Sequence, residues 1–324
     1  MWKDSVIGYS KNRLVNIAKL KTSLDNDTYE LDPYITFTIH EPKTREIVST
    51  RLKDRVFQRS LCDNYIYPEL TRHFIYDNCA CQIGKGTDFT RRRMVVHLQR
   101  FYRKNGQNGY ILKCDLKDYF GSTNHEMAKA MLRKKIRDDW AYEQIAHIVD
   151  SFKGEKGIGL GSQVSQLIQL AVLDDLDHII KERFKIKQYI RFMDDFVLIH
   201  EDKSHLAMIR TFIEDYLTSL GLVLSKKKTM LQKISQPFHF MGFSYRLTET
   251  GKIIRKILKP KIKHEKRKYK GLLKQVANKK MSPKQLNECL TAWRAHARKG
   301  NTHNLILKID KYFKERKLNY GTLS

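Results

Sequence analysis

No stretch of the 324-residue chain stays apolar long enough to cross a bilayer, since a spanning helix takes about 20 mostly apolar residues. Its first residues lack the basic-then-apolar pattern of a signal peptide. Cysteine is scarce: Cys62, Cys79, Cys81, Cys114 and Cys289 are odd in number and contain no Cys-x-x-Cys pair. That argues against structural zinc and a disulfide framework, and fits a reducing, cytoplasmic setting away from membranes. Neither an internal repeat nor a low-complexity linker is evident. Acidic residues are in deficit, with 35 Asp plus Glu against 62 Lys plus Arg and a formal net charge of +27. Such an excess points to a polyanion partner, most simply a nucleic acid. It names the partner class and not the chemistry. The 41% hydrophobic content is ordinary for a globular chain, and the length allows a sizeable core and one to three structural units.

The most informative stretch is Tyr189-Ile190-Arg191-Phe192-Met193-Asp194-Asp195-Phe196-Val197-Leu198-Ile199-His200. Two short runs rich in aromatic and branched residues read as strands. The acidic pair between them reads as the tip of a tight hairpin. Two carboxylates held side by side repel one another unless a cation sits between them, and a hard divalent ion takes oxygen ligands. A solvated turn is the alternative, because Asp is a common turn residue.

The rest of the chain supplies context. Residues 1–30 read as a mixed helical extension. Residues 34–40 alternate as a strand, and a turn at 41–44 leads into a second. A helix opens at Lys53-Asp54-Arg55-Val56-Phe57-Gln58. Gly84-Lys85-Gly86-Thr87 and Arg91-Arg92-Arg93 form a basic patch on a loop and helix start. Glycines there let the backbone approach phosphate, although taken singly the patch reads better as a solvated basic face. Residues 109–116 form a buried-looking strand ending in Asp115. Residues 126–152 are helical, and 154–161 form a glycine-rich loop. The helix after Ser162 buries Val164, Leu167, Ile168, Ala171 and Val172 on one stripe, with Ser165, Gln166 and Gln169 on the opposite edge. An amphipathic helix at 204–219 precedes a strand at 221–224, then Ser225-Lys226-Lys227-Lys228-Thr229. Between residues 252 and 280, 13 of 29 residues are Lys or Arg, with Glu265 the only acid.

Taken in order, these pieces resemble the palm of the reverse transcriptases, over roughly residues 35–310. Phe192-Met193-Asp194-Asp195 resembles the family's (Tyr/Phe)-x-Asp-Asp hairpin, and Asp115-Leu116-Lys117-Asp118-Tyr119-Phe120 its first catalytic motif. Phe240-Met241-Gly242-Phe243 resembles the primer grip, Lys228 the fourth palm motif, and Asp54-Arg55-x-x-Gln58 the fingers signature. The resemblance implies an α+β right-hand polymerase. Its parts would be an N-terminal extension (1–34), fingers (35–110), a palm with an antiparallel sheet (111–247, with fingers-side helices at about 126–156) and a basic helical thumb (248–324). It implies catalysis by Asp115, Asp194, Asp195 and Lys228. Two Mg²⁺ ions, with Mn²⁺ as substitute, would be held by the three aspartates and the Leu116 carbonyl. The dNTP would be bound by Lys43, Arg45, Phe120, Gly161, Ser165 and Gln166. Phe120 is the expected steric gate against a 2′-hydroxyl. Primer and template would meet Phe192, Met193, Met241, Gly242, Lys85 and Arg91. An RNA template, a nucleic-acid primer and dNTPs are the implied partners.

The chain ends soon after the thumb, which leaves no room for an RNase H domain. Leu160-Gly161-Ser162-Gln163-Val164-Ser165-Gln166 fits the altered nucleotide-pocket motif of the reverse transcriptases of diversity-generating retroelements. Ala292-Trp293-Arg294-Ala295-His296 is similar to that group's thumb. Such enzymes work with a small basic accessory protein. Two readings stand beside this one. Bacterial antiphage-defence reverse transcriptases share the palm, and some associate with a structured non-coding RNA. A non-catalytic RNA-binding scaffold would use the basic thumb equally well.

Overall fold

The computed structural model describes residues 2–40 and 44–319. They fall into two compact units, one built from residues up to 93 with 111–231, the other from 94–110 with 232 onward. Elements are numbered in chain order.

The first unit opens with helices α1 (Trp2–Lys11) and α2 (Arg13–Asp25), then an antiparallel hairpin of β1 (Ile35–Ile39) and β2 (Arg45–Ser49). Helix α3 (Leu52–Leu61) runs through a π-helical stretch, Cys62–Ile66, into α4 (Tyr67–Thr71). Asp54 of α3 accepts hydrogen bonds from the Tyr29 hydroxyl at 2.7 Å and the Asp32 N–H at 3.2 Å, so it ties the N-terminal segment to this helix. The unit also contains the start of α5 (Thr87–Asn105). The remaining elements are β3 (Tyr110–Asp115), α6 (Tyr119–Ser122), α7 (His125–Arg133), α8 (Asp139–Asp150), α9 (Gln163–Val172), α10 (Asp174–His178), β4 (Gln188–Phe192), β5 (Asp195–His200), α11 (Lys203–Ser219) and β6 (Met230–Lys233). A second π-helical stretch, Ile179–Arg183, follows α10.

The central sheet has the order β4-β5-β3-β6, with the unit boundary falling inside β6. Strand β3 is covered on both faces, and Ile111, Leu112 and Cys114 have no exposed surface. This explains its near-continuous apolar reading. Helix starts follow their caps: the Asp138 carboxylate accepts the Ala141 N–H, and Ser162 Oγ accepts the Ser165 N–H.

Two local expectations change. Ser165 and Gln169 lie inside with the apolar stripe of α9, because the helix is enclosed on all sides. Gln169 meets its polar needs internally. Its Nε2 donates to Thr123 Oγ1 at 2.9 Å, and its carbonyl accepts the Tyr119 hydroxyl at 2.6 Å. No strand forms at 221–224. Leu224 makes a single antiparallel bridge to Leu116, and the sheet's outer place goes to β6.

The second unit has an antiparallel sheet of β7 (Phe238–Phe240), β8 (Phe243–Leu247) and β9 (Ile253–Ile257). Helices α12 (Lys259–Ala277), α13 (Pro283–Ala297) and α14 (His303–Asn319) pack around Tyr269, Leu273, Leu286, Ile309 and Phe313. The Tyr269 and Phe313 rings stack 3.8 Å apart. Lys259, Lys261, Lys263, Arg267, Lys268, Lys270 and Lys274 of α12 face solvent, so the basic run is an outer surface and not core.

Candidate functional site

Asp115 ends β3 beside the β4–β5 hairpin. The register pairs Phe192 with Asp195, so the turn itself is Met193 and Asp194. The acidic pair is therefore split between the turn and the first residue of β5. Met193 adopts φ 55, an uncommon left-handed value for a residue with a side chain. The Leu116 N–H donates to the Asp194 carbonyl at 3.3 Å, which joins the end of β3 to the turn. On the other side, the Ser225 N–H donates to the Asp115 carbonyl at 2.7 Å and the Lys117 N–H to the Val223 carbonyl at 2.8 Å. These bonds fix three carboxylates at one end of the sheet.

Two lysines meet the acids. Lys228 Nζ lies 2.5 Å from Asp115 Oδ1, and Lys113 Nζ lies 2.8 Å from Asp195 Oδ1. Burial raises the Asp194 carboxyl above its ordinary value, and the neighbouring Asp115 charge adds to the rise. Burial pushes Asp195 up to about 6, with Lys113 pulling the other way. Among the described residues, no three His, Cys, Asp or Glu side chains already stand together as a metal cage. Two of these acids are instead drawn to ammonium groups.

Phe120 is half-buried, five residues beyond Asp115. It lines a cavity of about 720 Å³ with Arg45, Tyr34, Phe152, Lys153 and Lys156. The three acids are not among that cavity's walls, nor are Gly161, Ser165 and Gln166. Gly161 has φ 132, and a Cβ there would come 2.9 Å from the Val48 carbonyl oxygen. Its lack of a side chain is thus what lets β2 cross the loop. Ser165 is fully buried, and among the described residues its hydroxyl has no hydrogen-bond partner. Gln166 accepts a hydrogen bond from the Cys81 thiol at 3.2 Å.

The basic candidates of the fingers are turned inward. Lys85 Nζ donates to the Asn78 carbonyl at 3.1 Å and to Gln82 Oε1 at 2.9 Å, and burial lowers its pKa. Arg91 is 7% exposed and pairs with Asp88 at 2.7 Å. Neither presents the free cation that the basic patch suggested. Lys43 lies outside the described residues. In the second unit, Met241 (φ 48) and Gly242 (φ 85) form the two-residue turn between β7 and β8. Positive φ at both positions is the type I′ pattern of tight hairpins.

Sequence reasoning passed over Lys113, Lys153, Lys156 and the charged pair Arg191–Asp177. Lys113 had a legible signal: two residues before Asp115 on one strand, it shares a face with it. Arg191 was a lone charge within an apolar run.

Residues 41–245 match the family described as reverse transcriptase (RNA-dependent DNA polymerase). Among curated proteins nothing matches the chain. Solved structures with a similar fold include apo telomerase from Candida tropicalis, 12% identical with a TM-score of 0.54 over 70% of this chain and 49% of that one. A form of it truncated from the C-terminal domain is 13% identical with a TM-score of 0.54, over 75% of this chain and 60% of that one. Telomerase from Candida albicans in complex with a fragment of telomeric RNA is 13% identical with a TM-score of 0.51, over 81% and 55%. The chain thus spans about half the length of the first of these and under two thirds of the others. At such identities the likeness concerns the fold, which is that of the right-hand polymerases, with mixed helices and antiparallel sheet.

Proposed function

The chain belongs to the reverse transcriptase (RNA-dependent DNA polymerase) family, and on that premise we propose that it extends a nucleic-acid primer with dNTPs along an RNA template. The observation that carries this reading is the fixing of Asp115, Asp194 and Asp195 at one end of the sheet by the bonds among Asp115, Leu116, Asp194 and Ser225. The donor set suits Mg²⁺, a hard ion that takes carboxylate and carbonyl oxygens. Lys228 and Lys113 act as stand-in cations, pairing with two of the acids. Asp115, Asp194, Asp195 and the Leu116 carbonyl would hold two Mg²⁺ ions, or Mn²⁺ in their place. When bound, such ions acidify the attacking hydroxyl and neutralise charge on the transferred and departing phosphates.

The chain's own residues do the rest. Phosphoryl transfer asks for positioning and charge more than covalent help. Phe120 sets its ring under the deoxyribose and excludes a 2′-hydroxyl. Arg45, on the same cavity as Phe120, grips the triphosphate, with Lys43 beside it in sequence. Gly161, Ser165 and Gln166 shape the nucleotide and template pocket, with the Ser165 hydroxyl as its spare hydrogen-bonding group. Lys228, half-exposed and paired with Asp115, donates a proton to the leaving pyrophosphate. Phe192 and Met193 contact the primer from the first unit's hairpin; within the second unit, the Met241–Gly242 turn is a primer contact in its own right. The exposed lysines of α12 neutralise duplex phosphates. A phosphate contact from Lys85 or Arg91 requires that each first leave its present partners.

Leu160-Gly161-Ser162-Gln163-Val164-Ser165-Gln166 favours work in a diversity-generating retroelement, with a small basic accessory protein. An antiphage-defence enzyme working with a non-coding RNA, which would share the same palm, is the alternative. Sequenced cDNA from a defined RNA template separates the two. Errors clustered at template adenines support the retroelement. Faithful cDNA, or product that ignores the template, supports defence.

A further inference from the structure

Arg191 precedes the acidic hairpin turn by two residues and has no exposed surface. Its Nε lies 2.7 and 2.9 Å from the two Asp177 carboxylate oxygens, and its Nη2 lies 2.6 Å from Oδ2. Nη2 also donates to the Leu170 carbonyl of α9 at 3.0 Å. Nη1 donates to the Met193 carbonyl, inside the turn, at 3.1 Å. Asp177 is equally buried and accepts the Tyr189 hydroxyl at 2.6 Å. The Arg191 backbone is held as well: its N–H donates to the Asp77 carbonyl at 3.0 Å, and its carbonyl accepts the Cys79 N–H at 2.9 Å.

A buried ion pair is a poor device for stability alone, because apolar residues of similar volume do as well or better. An apolar side chain, however, has nothing to donate to the Met193 carbonyl. That carbonyl belongs to a residue at φ 55, a conformation that persists in a non-glycine residue only where its surroundings over-determine it. The planar guanidinium serves two ends at once: its fork clasps the carboxylate while its remaining N–H groups reach outward. Lysine, a compact ammonium, lacks that geometry.

We infer that Arg191 is a positioning residue, which, anchored on Asp177, fixes the Met193–Asp194 turn and so the aim of Asp194 and Asp195. The kinetic half of this inference rests on the polymerase reading; the structural half, the fixed turn, does not.

The test compares the wild-type chain with Arg191→Lys and with the double variant Arg191→Met/Asp177→Leu. Each is read by thermal unfolding, amide hydrogen exchange over residues 188–200, and kcat and KM for dNTP on a primed RNA template. The double variant is expected to fold, to exchange faster at the turn, and to lose about 10²-fold in kcat, the scale of a 1 Å misplacement, with KM nearly unchanged. Wild-type kcat and exchange in that variant would overturn the inference and leave the pair a packing element. Should the double variant not fold, Arg191→Lys decides, because it keeps the charge beside Asp177. Its loss of kcat in a folded protein supports the role of the fork, and full activity overturns it. If the wild-type chain makes no DNA, the polymerase reading fails separately, and exchange at the turn still judges the structural claim. Faster exchange in the variants upholds it; unchanged exchange sinks it.

Discussion

Replacing Asp195 with asparagine is expected to stabilise the fold while ending synthesis, and the stabilisation should follow a particular pH course. Burial lifts the Asp195 carboxyl from 3.8 to about 6 in the folded protein, against the pull of Lys113. The folded state therefore holds this proton more tightly than the unfolded chain does. By linkage, the stability associated with the group is fully present below about pH 4 and is lost as pH rises through about 6. The gap, at about 1.36 kcal/mol per pKa unit, amounts to roughly 3 kcal/mol. The side chain is only 23% exposed, so solvent screening removes little of it. Asparagine has no proton to lose. The stability of the variant minus that of the wild type should therefore climb by roughly 2–3 kcal/mol between about pH 4 and pH 7, then level off. Effects that do not titrate there shift both ends equally and cancel, and the pull of Lys113 on the ionised carboxylate is already contained in the value of about 6. Asp194 is raised by burial and by Asp115, and both features are present in both proteins. Urea unfolding at closely spaced pH values measures the difference, and primer extension measures activity. A difference that is flat or falls with pH would refute the burial argument. Synthesis that survives the substitution would refute the catalytic role.

Phe120→Val is expected to admit ribonucleotides, lowering dNTP-over-rNTP discrimination by up to about 10²-fold, the limit for rejecting one added hydroxyl by shape; steady-state kinetics with paired nucleotides checks it. Lys228→Ala should lower kcat by about 10²-fold, as loss of a general acid does; a change in KM alone would leave only its pairing with Asp115. Gly161→Ala forces a Cβ against the Val48 carbonyl oxygen at a positive φ and should destabilise by about 1–3 kcal/mol, read as a lower urea midpoint.

Much of the site was legible because its signals are local. A strand ending in Asp115 and a hairpin carrying Asp194 and Asp195 follow from alternation and turn chemistry over a dozen residues. Less legible were features decided by distant packing. The sequence pattern of α9 shows one apolar stripe, but Gln169 is drawn inside by Tyr119 and Thr123, some 46 to 50 residues away. The edge strand was misjudged in the same way. Residues 221–224 are apolar, yet Leu224 makes only one bridge and β6 takes the place. Charge counting made Lys85 and Arg91 candidates for phosphate contact. It could not register that the Asn78 carbonyl, Gln82 and Asp88 would claim them first.

We propose that three fixed carboxylates make this chain an RNA-directed DNA polymerase. Primer extension on a defined RNA template, with Mg²⁺ and four dNTPs, beside Asp194→Asn, tests it most directly. Template-dependent cDNA is expected from the wild-type chain and none from a folded Asp194→Asn variant. Equal synthesis by both proteins, or tight RNA binding with no synthesis by either, would contradict it.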